Sequence, residues 1–229
     1  MLMNSMVIIL GLAFFYMVCF SFLTATVFAE KMRNKYVLGK AVQSAAFLLV
    51  FCVATQIGKE EGESFLIMLW PFLCCFVGDI LMGCYNRTRK KPYFVGGVVT
   101  FLSGHIGFVY WLCSMQRLQW VDFILPACAI FLSIGIIHKN KLHTGSLKPF
   151  ILTYSMFVSM LFSKSMHIAL VDRNVAAVVT AVAATLFWTS DVSILFLYFK
   201  KQKTRKVQMF NLATYYIGMF LFAIYPLLG

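Results

Sequence analysis

SFLIMLWPFLCCFVGDILMGC, residues 64–84, decides the fold. At about 1.5 Å per residue an α-helix of this length crosses a hydrocarbon core of roughly 30 Å. Almost all of its residues are apolar, and the one charge among them is Asp79. A run of about twenty apolar residues with so little charge reads as a transmembrane helix. The basic run that closes it, Arg87, Arg89, Lys90 and Lys91, is what a helix end emerging at a cytoplasmic membrane surface carries.

The rest of the 229 residues read the same way. Apolar residues make up 61% and charged residues 12%, about half the charge of an ordinary soluble domain. Further apolar stretches lie near residues 5–29, 37–57, 94–115, 120–138, 147–167, 174–199 and 208–228, giving eight predicted spans with 64–84. The predicted fold is therefore all-α, a polytopic membrane helix bundle of about eight transmembrane helices, with residues 1–229 forming a single integral membrane domain. Residues 5–29 lack a basic segment ahead of them and are too long for a signal-peptide core, so they are read as a retained first span.

Most of the 20 Lys and Arg residues fall in the odd-numbered loops, including Lys200, Lys201 and Lys203 in loop seven. The even-numbered loops take Lys59, Glu60, Glu61, Arg117, Asp122, Lys164 and Asp172. By the positive-inside rule the odd loops face the cytoplasm and both termini the other side. This asymmetry accounts for the net charge of +12 without a nucleic-acid partner, for which no motif is present. The seven cysteines lie in apolar runs with no metal-ligand spacing and read as small apolar side chains. Pro71, Pro126 and Pro226 are expected inside spans.

With the loop charges set aside, two acids remain: Asp79 in span three and Asp191 in span seven. A carboxylate in hydrocarbon costs several kcal/mol unless paired, hydrated or protonated, which marks both as functional candidates. Each is expected roughly 12 to 14 Å from its basic membrane edge, at comparable depth. His105 in span four is a candidate proton carrier, at a greater depth of about 21 Å. The competing expectation is purely structural hydrogen bonds between helices, worth about 1 kcal/mol each.

Polar residues at the cytoplasmic ends of other spans, Lys40 with Gln43, Lys148 with Tyr154, and Asn211 with Tyr215, are candidates for holding a lipid headgroup. Lys40 and Lys148 suit its phosphate, although each could also snorkel to the membrane surface. Lys40 and Lys148 recur at nearly the same offset as Asp79 and Asp191, a weak sign of a 4+4 parallel pseudo-repeat.

FVGDILM at 76–82, FLSGHIGFVYW at 101–111 and FWTSDVSILF at 187–196 resemble the YhhN family of integral membrane lysoplasmalogenases. The most specific part is the order Gly-Asp, then Gly104, His105 and Tyr110, then Ser-Asp; Lys40 and the Lys148-Pro149 to Tyr154 stretch are similar too. Ala41 departs from the proline expected after Lys40, and Met219 from a frequent glutamine; neither touches the acids.

The resemblance implies hydrolysis of the vinyl ether of a lysoplasmalogen to a fatty aldehyde and a glycerophospho-ethanolamine or glycerophospho-choline. It implies Asp79 and Asp191 as a carboxylate pair, one donating a proton and one stabilising a cation or activating water. His105 would then tune or relay the proton. Lys40, Lys148, Tyr154 and Tyr215 would hold the lysophospholipid, and no metal or cofactor is called for. Paired intramembrane acids suit a small proton-coupled transporter equally, and a non-catalytic lipid-binding protein is the third alternative. Abundant Phe, Met and Cys favour the endoplasmic reticulum membrane of a eukaryote; a bacterial chain would occupy the inner membrane.

Overall fold

The computed structural model describes residues 2–58, 62–141, 145, 148–199 and 205–228. Lys59, Glu60, Glu61, His143, Lys200, Lys201 and Lys203 lie outside the described residues. Among those described, eight α-helices are formed: α1 (Leu2–Phe28), α2 (Tyr36–Gly58), α3 (Glu63–Thr88), α4 (Lys91–Met115), α5 (Ile124–Lys139), α6 (Lys148–Asp172), α7 (Val175–Phe199) and α8 (Arg205–Ala223). Seven of them, all but α8 and with α5 taken together with the 3-10 turn Trp120–Phe123 ahead of it, are long and apolar enough to cross a membrane. The protein is a multi-pass helical membrane protein.

Most helix ends lie close to those expected, and the exceptions have local causes. α6 runs on to Asp172, past the predicted end at residue 167, because the apolar residues Ile168–Val171 continue the helix beyond the polar Lys164 and His167. α8 stops at Ala223 and gives way to a 3-10 turn over Tyr225–Leu227. Pro226 occupies that turn, beyond the end of the α-helix. Pro126 falls in the first turn of α5, where its missing N–H has no intrahelical partner to lose. Of the three prolines, Pro71 alone sits in the interior of a helix, α3.

The chain forms two compact units. The first comprises Met1–Gly107 and Met219–Gly229, the second Phe108–Gly218. In the first unit α2 packs between α1 and α3. Its centre is aromatic: Phe51 stacks on Phe72 with ring centroids 4.6 Å apart and on Phe65 at 5.6 Å. Glycines bring α3 and α4 together. A Cβ on Gly78 would lie 3.0 Å from Thr100 and Phe101, and one on Gly104 3.0 Å from Cys75 Sγ, so these positions accept no larger side chain without movement. Small residues at such contacts are how membrane helices approach closely.

In the second unit α6 packs against both α5 and α7. Phe187 on α7 lies edge-on to Phe108 at 6.4 Å and to Tyr215 of α8 at 5.2 Å. Trp188 stacks on Phe162 of α6 at 5.7 Å, and its indole N–H donates to Ser159 Oγ at 2.9 Å. Gly218 allows α8 to approach the Ala183 carbonyl, 2.9 Å from where a Cβ would stand.

Candidate active-site residues

Asp79 is fully buried in the first unit. Gly78 before it lets α4 close over this part of α3, which removes water from the carboxylate and makes partners obligatory. Both come from α2. Lys40 Nζ lies 2.8 Å from Oδ1, and the Ser44 hydroxyl donates to Oδ2 at 2.6 Å. Lys40 and Ser44 are one turn apart on the same face of their helix, the spacing that lets two side chains reach one target. Lys40 is itself 7% exposed, so its ammonium is turned into the fold toward Asp79.

His105 is also fully buried in this unit, on α4. The glycine contacts fix its depth: Gly78 faces Thr100 and Phe101, whereas Gly104 faces Cys75 and the Pro71 carbonyl. His105 is thus displaced from the level of Asp79 by roughly 8 Å along the helix axes. Gln43, three residues after Lys40 on α2, is fully buried as well.

In the second unit Asp191 is buried on α7, 8% exposed. The residue before it is locked to α8. Asn211 Nδ2 donates to the Ser190 carbonyl and to Ser190 Oγ, both at 2.9 Å, and Ser190 Oγ donates back to the Asn211 carbonyl at 3.1 Å. Three hydrogen bonds between two residues fix the rotation of α7 against α8, and hence the direction in which Asp191 leaves its helix. Tyr215 is buried one turn further along α8. Lys148 and Tyr154 are half-buried in α6, with Lys148 its first residue. Tyr110 of the sequence motif is 63% exposed on α4.

Residues 37–224 match the YhhN family. The chain belongs to the YhhN family. No curated protein and no solved structure matches it. The YhhN match starts within the first turn of α2 and ends just beyond α8. It therefore takes in Lys40, Ser44, Asp79, His105, Lys148, Asp191 and Tyr215, and leaves out α1.

One cluster in this YhhN protein departs from the sequence reading. Asp122 and Lys164, expected in even-numbered loops, are both fully buried in the second unit. Lys164 lies well inside α6, and its ammonium donates to the Arg117 carbonyl at 2.8 Å, Asp122 Oδ2 at 3.2 Å and Gln116 Oε1 at 3.3 Å. Asp122 Oδ2 also accepts the Gln119 N–H at 2.8 Å, and its Oδ1 meets His167 Nδ1 at 2.7 Å. Mutual compensation makes the burial affordable, and it hides the cluster from hydropathy, which scores each charge alone. The available signal was the spacing of Lys164 and His167, three apart on one helical face, inside an otherwise apolar run.

Ser44 was missed for a simpler reason: a serine in an apolar helix is common, and only its position one turn after Lys40 sets it apart. Among the described residues, no three His, Cys, Asp or Glu side chains are gathered closely enough to hold a metal ion.

Proposed function

We propose that this YhhN protein is a lysoplasmalogenase-like ether hydrolase that converts an alkenyl-glycerophospholipid and water to a fatty aldehyde and a glycerophospho-alcohol. The observation that carries the reading is a family match spanning residues 37–224 that includes two buried carboxylates, Asp79 and Asp191, in helices otherwise apolar.

The chemistry suits carboxylic side chains. Hydrolysis begins when a proton adds to the alkene carbon remote from the ether oxygen, leaving an oxocarbenium ion. Water adds to the carbon bonded to that oxygen and releases its own proton, giving a hemiacetal. Collapse of the hemiacetal breaks the carbon–oxygen bond to glycerol, and the proton balance returns to zero. One group must donate a proton and one must stabilise the cation or accept the proton of water, roles assigned here to Asp79 and Asp191. In the same reading His105 relays a proton, Lys148 receives the phosphate near the cytoplasmic surface, and Tyr154 and Tyr215 line the lipid's path. The membrane is that of the endoplasmic reticulum in a eukaryote or the inner membrane in a bacterium.

The test is aldehyde release from a lysoplasmalogen by protein purified in detergent, with the ester-linked lysophospholipid as control. Aldehyde from the vinyl ether alone, lost in Asp79→Asn and in Asp191→Asn, is the expected result. A well-folded wild type that releases none sinks the hydrolase. Proton-coupled solute flux in liposomes without aldehyde would replace it with a transporter.

A further inference from the structure

We propose that Gln43 holds the free glycerol hydroxyl of a one-chain alkenyl lipid and is the residue by which the first unit recognises that hydroxyl. The inference rests on the hydrolase reading and adds to it how the substrate is told apart.

The Gln43 carboxamide is fully buried, and neither its oxygen nor its nitrogen closes a hydrogen bond among the described residues. A buried amide left in that state costs free energy that folds ordinarily avoid, so it marks a place where a ligand supplies the partners. The phenol of Tyr16, from α1, stands beside the carboxamide and near enough to Asp79 to feel its charge. Phe220 backs the Tyr16 ring, with centroids 5.1 Å apart. A carboxamide has two N–H donors and an oxygen with two lone pairs, more than one phenol can engage. Gln43 also shares a face of α2 with Lys40 and Ser44, which hold Asp79 at 2.8 and 2.6 Å. All five residues belong to the first unit.

The chemistry of the lipid selects the ligand. Its phosphate offers acceptors, an ethanolamine ammonium offers donors, and the alkenyl chain offers neither. A carboxamide is matched on both sides by a group that donates and accepts, and in a one-chain alkenyl glycerophospholipid that group is the glycerol hydroxyl. It sits on the carbon next to the one that bears the vinyl ether, so holding it brings the ether toward Asp79. Acylation of the hydroxyl removes its donor and adds a second chain. The depth is suitable too: Gln43 lies about 10 Å along α2 from Tyr36, near the helix end that follows Lys31, Arg33 and Lys35.

Aldehyde release is measured for wild type and Gln43→Met, each checked by gel filtration and thermal melting in the same detergent. The two substrates are alkenyl-glycerophosphoethanolamine and its analogue with hydrogen in place of the free hydroxyl. Methionine keeps the length of the side chain and removes its carboxamide. Wild type is expected to prefer the hydroxyl lipid by about tenfold to a hundredfold in kcat/KM. In Gln43→Met the ratio should fall to within about threefold of unity, and comparing ratios cancels any difference in intrinsic reactivity between the lipids. The variant should melt at or above the wild-type temperature, because the orphaned amide is gone. Equal turnover of the two lipids by wild type would give the carboxamide to a water molecule and overturn the inference while the hydrolase stands. A Gln43→Met that keeps the wild-type preference overturns it as well, and one too unstable to purify would assign Gln43 to the packing of the helices instead. A folded wild type that releases aldehyde from neither lipid removes the hydrolase reading and the inference with it.

Discussion

Lys164 Nζ and Asp122 Oδ2 stand 3.2 Å apart with both side chains fully withdrawn from solvent. The pair joins the 3-10 turn Trp120–Phe123, just before α5, to the interior of α6, and the carbonyl of Arg117 completes the ammonium's shell at 2.8 Å. Removing Lys164 takes the ammonium from a buried carboxylate and leaves it only the Gln119 N–H and His167. Lys164→Met is therefore expected to destabilise by about 3 to 5 kcal/mol, read as a large fall in thermal midpoint in detergent. Adding Asp122→Asn to Lys164→Met should recover part of the loss, since the stranded carboxylate is gone. Additive losses in the double variant would mean that the two residues are not coupled.

How much of this was legible beforehand follows from the same residues. Helix positions were readable because the bilayer demands about twenty apolar residues per span. Asp79 and Asp191 stood out because each is a lone acid in an apolar run. Asp122 and Lys164 did not, since each lies close to an expected span end, where charge is ordinary; their compensation is a fact of packing between helices, and no single-segment sum contains it. The Lys40–Asp79 pair was unreadable for the same reason. Its two members were noticed separately, one as a headgroup ligand and one as an acid, and the register of α2 against α3 that joins them is set by side-chain fit.

Gly58 closes α2 against the C-terminal turn of the first unit. A Cβ there would overlap the Pro226 carbonyl oxygen, a backbone atom that cannot swing aside as a side chain would. Gly58→Ala should therefore push the 3-10 turn off α2 and destabilise by about 1 to 3 kcal/mol, the cost of overpacking. Gly11, in α1, has no neighbour within 4 Å of the same position; Gly11→Ala should leave the melting midpoint unchanged or slightly higher, because alanine is the better helix former by about 1 kcal/mol. Equal effects from the two alanines would show that the turn does not sit on α2 in the membrane protein as purified.

Asn211 fixes Ser190 through its carboxamide, with both donors at 2.9 Å. Asn211→Leu keeps the approximate volume and removes both bonds, leaving the Ser190 carbonyl and hydroxyl short of donors. Under the hydrolase reading the expected outcome is a fall in kcat of about tenfold or more through misdirection of Asp191, since displacement of a reacting group by about 1 Å costs on the order of a hundredfold. The measurement is the kcat of aldehyde release alongside the melting curve. A variant that melts lower but turns over at the wild-type rate would confine the clamp to stability.

Under the hydrolase reading Lys148 is the proposed cation for the substrate phosphate, since Lys40 is paired with Asp79. It is the first residue of α6 and half-buried, with Pro149 next to it in the first turn, where proline is pre-organised for the helix. The free amide groups and positive dipole end of a helix start favour an anion there, and an ammonium adds to that field. A group that holds the headgroup equally in the ground and transition states contributes to KM and not to kcat. Lys148→Met is accordingly expected to raise KM for a lysoplasmalogen by about fivefold to tenfold, with kcat within about twofold of wild type, and Lys148→Arg to keep most of the affinity. An unchanged KM with a fallen kcat would instead place Lys148 in the chemical step, and no change in either would remove it from the site.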